Sequence, residues 1–154
     1  TTPYRYFKNK DDIAEAVIDA LIEKGTTKYR AIMQREAHFE EKVQALIRFK
    51  YKEIQGISTV FIEEVYGREK HSALSTKIQE NRTAMQQEMV EDFRNAQLKG
   101  EIDNTLNLDF ILHMLNDLNG KFFNKELQAL FDNEEAFIQQ LTQFFFYGIA
   151  IQKT

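Results

Sequence analysis

Arg5, Lys8 and Lys10 alternate with Tyr4, Tyr6 and Phe7 at the front of a 154-residue chain, and no acid stands among the first ten positions. Ammonium groups and phenol hydroxyls on short rigid arms suit phosphate oxygens, which they position rather than read. The rest of the chain reverses that sign, since the net charge is −4. A nucleic-acid-binding body wants a basic face, so any phosphate chemistry is confined to this opening run.

Arg82 is the second residue whose type stands out. It shares a helical sector with Ile78, Met85 and Met89, where a bundle prefers an apolar side chain. A guanidinium aimed at an apolar cavity holds a carboxylate through paired hydrogen bonds. The competing reading has its stem along the surface and its charge in water or paired with a glutamate. Nothing points to catalysis. His38, His71 and His113 lack a second ligand at a spacing of three or four, there is no cysteine, and no nucleophile–base pair or glycine-rich phosphate loop occurs. No catalytic residue, metal or cofactor is therefore assigned.

Helices must position these groups. The single proline is Pro3, and Gly25, Gly56, Gly67 and Gly100 each follow a periodic polar–apolar run, where a helix accepts a left-handed residue. The spacing predicts helices over 10–24, 39–55, 57–66, 73–98, 108–130 and 133–152. Asn9 is placed to cap the first, with Asp12 as its partner, and Asn107 to cap the fifth, with Leu106 and Ile111 as a hydrophobic staple. A 43% hydrophobic content and a mean hydropathy of −0.49 place the chain among ordinary globular domains. The longest apolar stretch, residues 144–151, falls far short of the ~20 residues a membrane span needs. The expected setting is the cytoplasm, without a membrane partner.

Thr2-Pro3-Tyr4-Arg5-Tyr6-Phe7-Lys8-Asn9-Lys10-Asp11-Asp12-Ile13 resembles the exit of the helix-turn-helix in the TetR family of transcriptional regulators, Thr-Leu-Tyr-x-Tyr-Phe-x-x-Lys followed by two acids and Leu. Pro3 departs from the apolar residue usual there. The resemblance implies an all-α, TetR-like C-terminal bundle of about six helices that dimerises through the last two. Residues 1–9 would be the remnant of the DNA-binding domain, and 10–154 the effector-binding and dimerisation domain. It also implies operator-backbone contacts by Thr2, Tyr4 and Lys10, and the function of a ligand-responsive regulator, a repressor, working as a homodimer on operator DNA. The rival reading is a helical interaction module with no small-molecule ligand.

Periodicity nominates a pocket beneath that resemblance. Tyr51 and Ile54 lie on one face of the second helix, Phe61 and Val65 on the next, Arg82, Met85, Met89 and Phe93 on the longest, and Leu118 and Phe122 on the fifth. Converging Met and Phe faces enclose adaptable apolar space, suited to a small hydrophobic or amphipathic effector. In the family, inducers bind in a cavity between these helices. The last two helices each carry a second apolar stripe: Gly120, Phe123 and Leu127 on one, Ile138, Phe145 and Ile149 on the other. A surface helix needs one stripe, so the second set is assigned to the dimer interface. Gly120, costing ~1 kcal/mol inside a helix, suggests a close crossing there.

Overall fold

The computed structural model describes residues 10–56, 73–122 and 124–150. Among these the chain forms six helices and no strand: α1 (Lys10–Met33), α2 (Phe39–Gly56), α3 (Ala73–Leu98), α4 (Leu108–Lys121), α5 (Lys125–Gln128) and α6 (Glu134–Ile149). The helix expected over 57–66 lies outside the described residues.

Helix α1 runs nine residues past its expected end, because Gly25 sits inside it rather than capping it. Past Gly25 the chain supplies Tyr29 and Ile32, 5% and 1% exposed, which pack with Leu46 of α2. That burial outweighs the ~1 kcal/mol a helical glycine costs. Gly100 behaves as expected. It has φ 77°, its N–H donates to the Gln97 carbonyl at 3.0 Å, and the Glu101 N–H reaches the Ala96 carbonyl at 2.9 Å. These two bonds are the Schellman closure of a helix.

The expected 108–130 helix is broken. Asn124 is extended and its side chain accepts from the Leu127 N–H at 2.9 Å, so the backbone takes a side-chain partner and starts afresh as α5. Asn107 and Asn133 cap α4 and α6 in the same way, accepting from Phe110 and Ala136 at 3.0 and 2.8 Å.

Two apolar clusters hold the bundle. The larger joins Phe39, Val43, Ile47 and Tyr51 of α2 to Phe93 and Ala96 of α3, to Ile111, Leu112 and Leu115 of α4, and to the inner face of α6. The smaller joins Tyr29 and Ile32 to Leu46, and Met33 and Met89 touch both. α1 and α2 are antiparallel, as Lys24–Glu53 at 2.7 Å and the Lys42 ammonium on the Met33 carbonyl at 2.9 Å show. The 99–107 connection is fastened at Glu101 and Asp103. The Glu101 carboxylate accepts from the Phe39 N–H at 2.9 Å, and the Asp103 N–H donates to the Ile149 carbonyl at 2.8 Å.

Candidate functional site

Polar contacts recur along the α1–α3 seam. Lys77 reaches Glu15 and Asp19 at 3.1 and 2.9 Å, Thr26 donates to the Met85 sulfur at 3.5 Å, and Arg30 forks onto Glu88 at 2.8 and 3.1 Å. At the far end the Tyr29 hydroxyl donates to Asp92 at 2.6 Å. The sequence separation stays between 58 and 63 down the seam, so the two helices run in the same direction. Hydrogen bonding first, then charge, acts on Arg30 and Glu88, and hydrogen bonding leads at Lys77. The Arg30 and Lys77 cations are held above their ordinary ranges and the Glu88 carboxyl below its own. Burial first, then the Asp92 bond, pushes the Tyr29 phenol up.

Behind the seam, the effector candidates divide. Tyr51, Phe93 and Phe122 are buried, at 6%, 0% and 1% exposure, in the larger cluster, with Met89 and Leu118 partly buried against it. The Tyr51 ring meets Phe122 and Phe137 edge-on, with centroids 5.4 and 5.8 Å apart. Burial, helped by the Glu134 charge, raises its phenol, which stays a neutral donor. Met85 packs on the smaller cluster. Arg82 is exposed. Phe61, Val65 and the Ile54 side chain lie outside the described residues.

Sequence reasoning passed over Lys50. The residues three, four, seven and eleven positions before it, Ile47, Leu46, Val43 and Phe39, are 2%, 7%, 0% and 4% exposed, and Lys50 follows them at helical spacing while its own side chain is exposed. Burial lowers its ammonium from the ordinary lysine range, and Glu53 offsets this only in part. The helical spacing was the available signal. A stripe read by its apolar members alone skips the charged one.

A separate groove of about 620 Å³ lies between α3 and the start of α4, lined by Thr83, Gln86, Gln87, Val90, Glu91 and Asp109. None of the effector candidates lines it. Of the operator-contact candidates, Lys10 opens α1, while Thr2 and Tyr4 lie outside the described residues.

The dimer candidates also divide. Ile138, Phe145 and Ile149, at 0%, 8% and 6% exposure, are buried in the chain's own core, because α2 covers that face of α6. On α6 the apolar side chains left to solvent are Phe144 at 85% and Tyr147 at 65%. Phe110 and Met114 on α4 are also exposed, one turn apart. Leu127 is partly buried against the core, and Phe123 lies outside the described residues. Gly120 is exposed, and a Cβ there would meet nothing within 4 Å. Among the described residues no close crossing is made at Gly120.

No family model matches the sequence, and no curated protein matches it. Solved structures do. The ketosteroid transcriptional regulator KstR2 of Mycobacterium tuberculosis aligns with a TM-score of 0.76 at 14% identity, over 97% of this chain and 77% of that one. The fatty acid degradation regulator FadR of Bacillus halodurans aligns at 0.72 and 20% identity, over 94% of this chain and 79% of that one.

Proposed function

We propose, on the premise that this chain has the fold of the TetR-family regulators, that it is the sensor body of a ligand-responsive transcriptional repressor. Residues 1–9 belong to an operator-reading head, with Thr2, Tyr4 and Lys10 on the DNA backbone. A small hydrophobic or amphipathic effector enters between α1, α2, α3 and α4, near Tyr51, Met85, Met89, Phe93, Leu118 and Phe122. Two copies pair through α4 and α6 as a homodimer. The solved neighbours are regulators rather than enzymes, and those two are described as regulators of ketosteroid and fatty acid chemistry, which agrees with a greasy effector.

One observation carries the reading. α1, which begins at Lys10, is bonded to α3 from Glu15 to Tyr29, and α3 supplies Met85, Met89 and Phe93 to the cluster. A ligand that shifts α3 therefore moves α1 and whatever α1 carries. The required bias is only the ligand's difference in affinity for two states, about 1–3 kcal/mol.

The test is operator binding by the protein with its DNA head, followed by fluorescence anisotropy against a panel of steroids, acyl chains and aromatic acids. Release of operator by a panel member, with a matching rise in melting temperature of the helical body, is the expected result. Operator binding indifferent to every ligand, with no thermal shift, leaves the interaction module without a small-molecule ligand.

A further inference from the structure

We propose that ionic strength is a second input to this body, separate from the effector. Lys77 is a positioning residue whose ammonium docks the front of α1 on α3, and screening of that charge releases the segment next to the operator-reading head. The inference rests on the regulator reading above where it concerns DNA.

The first support is where the apolar anchorage lies. On α1 it is confined to the far end: Tyr29 and Ile32 are buried and pack with Leu46, whereas none of residues 12–28 is buried. α3 repeats the pattern. Among its described residues Phe93 and Ala96 are buried, and none of residues 76–92 is. The two helices run in the same direction, as the pairs from Lys77–Asp19 to Tyr29–Asp92 show, so their weakly anchored stretches lie against each other. A stretch with little buried apolar surface opens at low free-energy cost.

The second support is the chemistry of the ties, which changes in the same order. At the far end a neutral hydroxyl, Tyr29, donates to Asp92 at 2.6 Å. The Arg30 fork onto Glu88 is exposed, but it stands one residue from Tyr29, which stays anchored when charge is screened. At the front the Lys77 ammonium lies 3.1 Å from Glu15 and 2.7 Å from Asp19, and the three side chains are between 42% and 52% exposed. Glu15 and Asp19 stand four residues apart on α1, where like charges repel. One ammonium between them offsets that repulsion and docks the helix at once. Both effects are electrostatic, at a place water reaches, so salt weakens the hold.

The consequence for DNA follows from the position of the front. α1 begins at Lys10, and a front freed from α3 no longer fixes the attitude of a head joined to it. The freed segment is ordered again on binding, which lowers affinity. Phosphate contacts add their own salt dependence through counterion release, so the seam's share is the part that disappears when Lys77 is replaced.

The sequence contains no cysteine, so paired spin labels can read each end of the seam. Ala20→Cys with Gln79→Cys reads the front, and Lys28→Cys with Gln87→Cys the far end. Doubly labelled protein is diluted into unlabelled protein without effector, at about 0.05 and about 1 M KCl. The front distance distribution is expected to be narrow at low salt and broad at high salt, while the far pair stays narrow in both. Lys77→Met broadens the front pair at low salt, and Lys77→Arg keeps it narrow. In the protein with its DNA head, Lys77→Met is expected to bind an operator duplex selected from a random pool about fivefold more weakly than wild type at low salt, and equally at high salt. A front pair that stays narrow at high salt, or is as narrow in Lys77→Met as in wild type at low salt, overturns the clamp. A front that opens with operator affinity unchanged overturns the input to DNA. No effector is present, so either failure leaves the effector reading to its own panel. If no variant binds DNA, the regulator reading and the input to DNA both fail, and the labels still decide the clamp.

Discussion

The Tyr29 hydroxyl and the Asp92 carboxylate meet at 2.6 Å across the α1–α3 seam, at the end of α1 away from Lys10. Tyr29 is 5% exposed and packs with Ile32 and Leu46, so this contact is both the least hydrated and the most apolar of the seam. Tyr29→Phe keeps the ring and removes the donor, leaving Asp92 without its partner. The expected loss is roughly 1–2 kcal/mol, read as a lower midpoint in urea.

The same phenol sets an alkaline limit. Its pKa is raised in the folded state, while in the unfolded chain it ionises near its ordinary value of about 10. A raised folded pKa contributes stability that is whole below the unfolded value and is lost as pH climbs above it. Wild-type stability is therefore expected to fall from about pH 10 upward, and Tyr29→Phe to fall less steeply over that range. Parallel pH–stability curves for the two proteins would remove Tyr29 as the cause.

At the other end of the seam the contacts are exposed charges. Lys77, with 42% of its side chain exposed, holds Glu15 and Asp19. Such pairs are screened by salt, whereas a buried hydrogen bond is not. Hydrogen exchange of α1 is thus expected to speed up in its first three turns between 0.05 and 1 M NaCl (~14 to ~3 Å screening length) and to hold steady around Tyr29 and Ile32. Lys77→Ala should reproduce the high-salt pattern at low salt. Uniform protection along α1 under both conditions would mean that the charged end is not the releasable one.

Gly100 offers a backbone test. Its φ of 77° lies in the left-handed region, which costs an L side chain about 1–2 kcal/mol. Gly100→Ala is expected to lower stability by roughly that amount. Gly25→Ala, at a helical glycine with open space around it, should raise it by up to ~1 kcal/mol. Equal effects of the two substitutions in chemical denaturation would contradict the different roles given to these glycines.

That contrast explains much of what the sequence made legible. Gly100 follows the stripe of α3 and ends it, and Lys99-Gly100-Glu101-Ile102 continues with a buried Ile102 out of helical register. Gly25 also follows a periodic run, but Tyr29 and Ile32 resume the spacing beyond it. Propensity alone reads both as stops, and tertiary burial decides between them. The break after α4 has a local cause, since Asn124 competes for the Leu127 N–H. The second stripe of α6 announced burial on two sides, but periodicity cannot say which helix does the burying. In the structure α2 of the same chain covers Ile138, Phe145 and Ile149. Lys50 was hidden by the habit of tracing apolar residues, although its spacing from Phe39, Val43, Leu46 and Ile47 was there to be counted.

The proposed dimer can be tested on what α6 leaves uncovered. Phe144 and Tyr147 stand 85% and 65% exposed on the last helix. Burying two large aromatic side chains at an interface is worth about 1.5–3 kcal/mol each. A glutamate at Phe144 would be desolvated against its partner without compensation. Phe144→Glu is therefore expected to yield a folded monomer by light scattering at micromolar concentration where wild type is a dimer, with its helical content intact. Ile138→Glu, at a position 0% exposed inside the chain, should instead unfold the protein. A wild-type monomer at those concentrations, or a Phe144→Glu dimer, would move the interface off this face of α6.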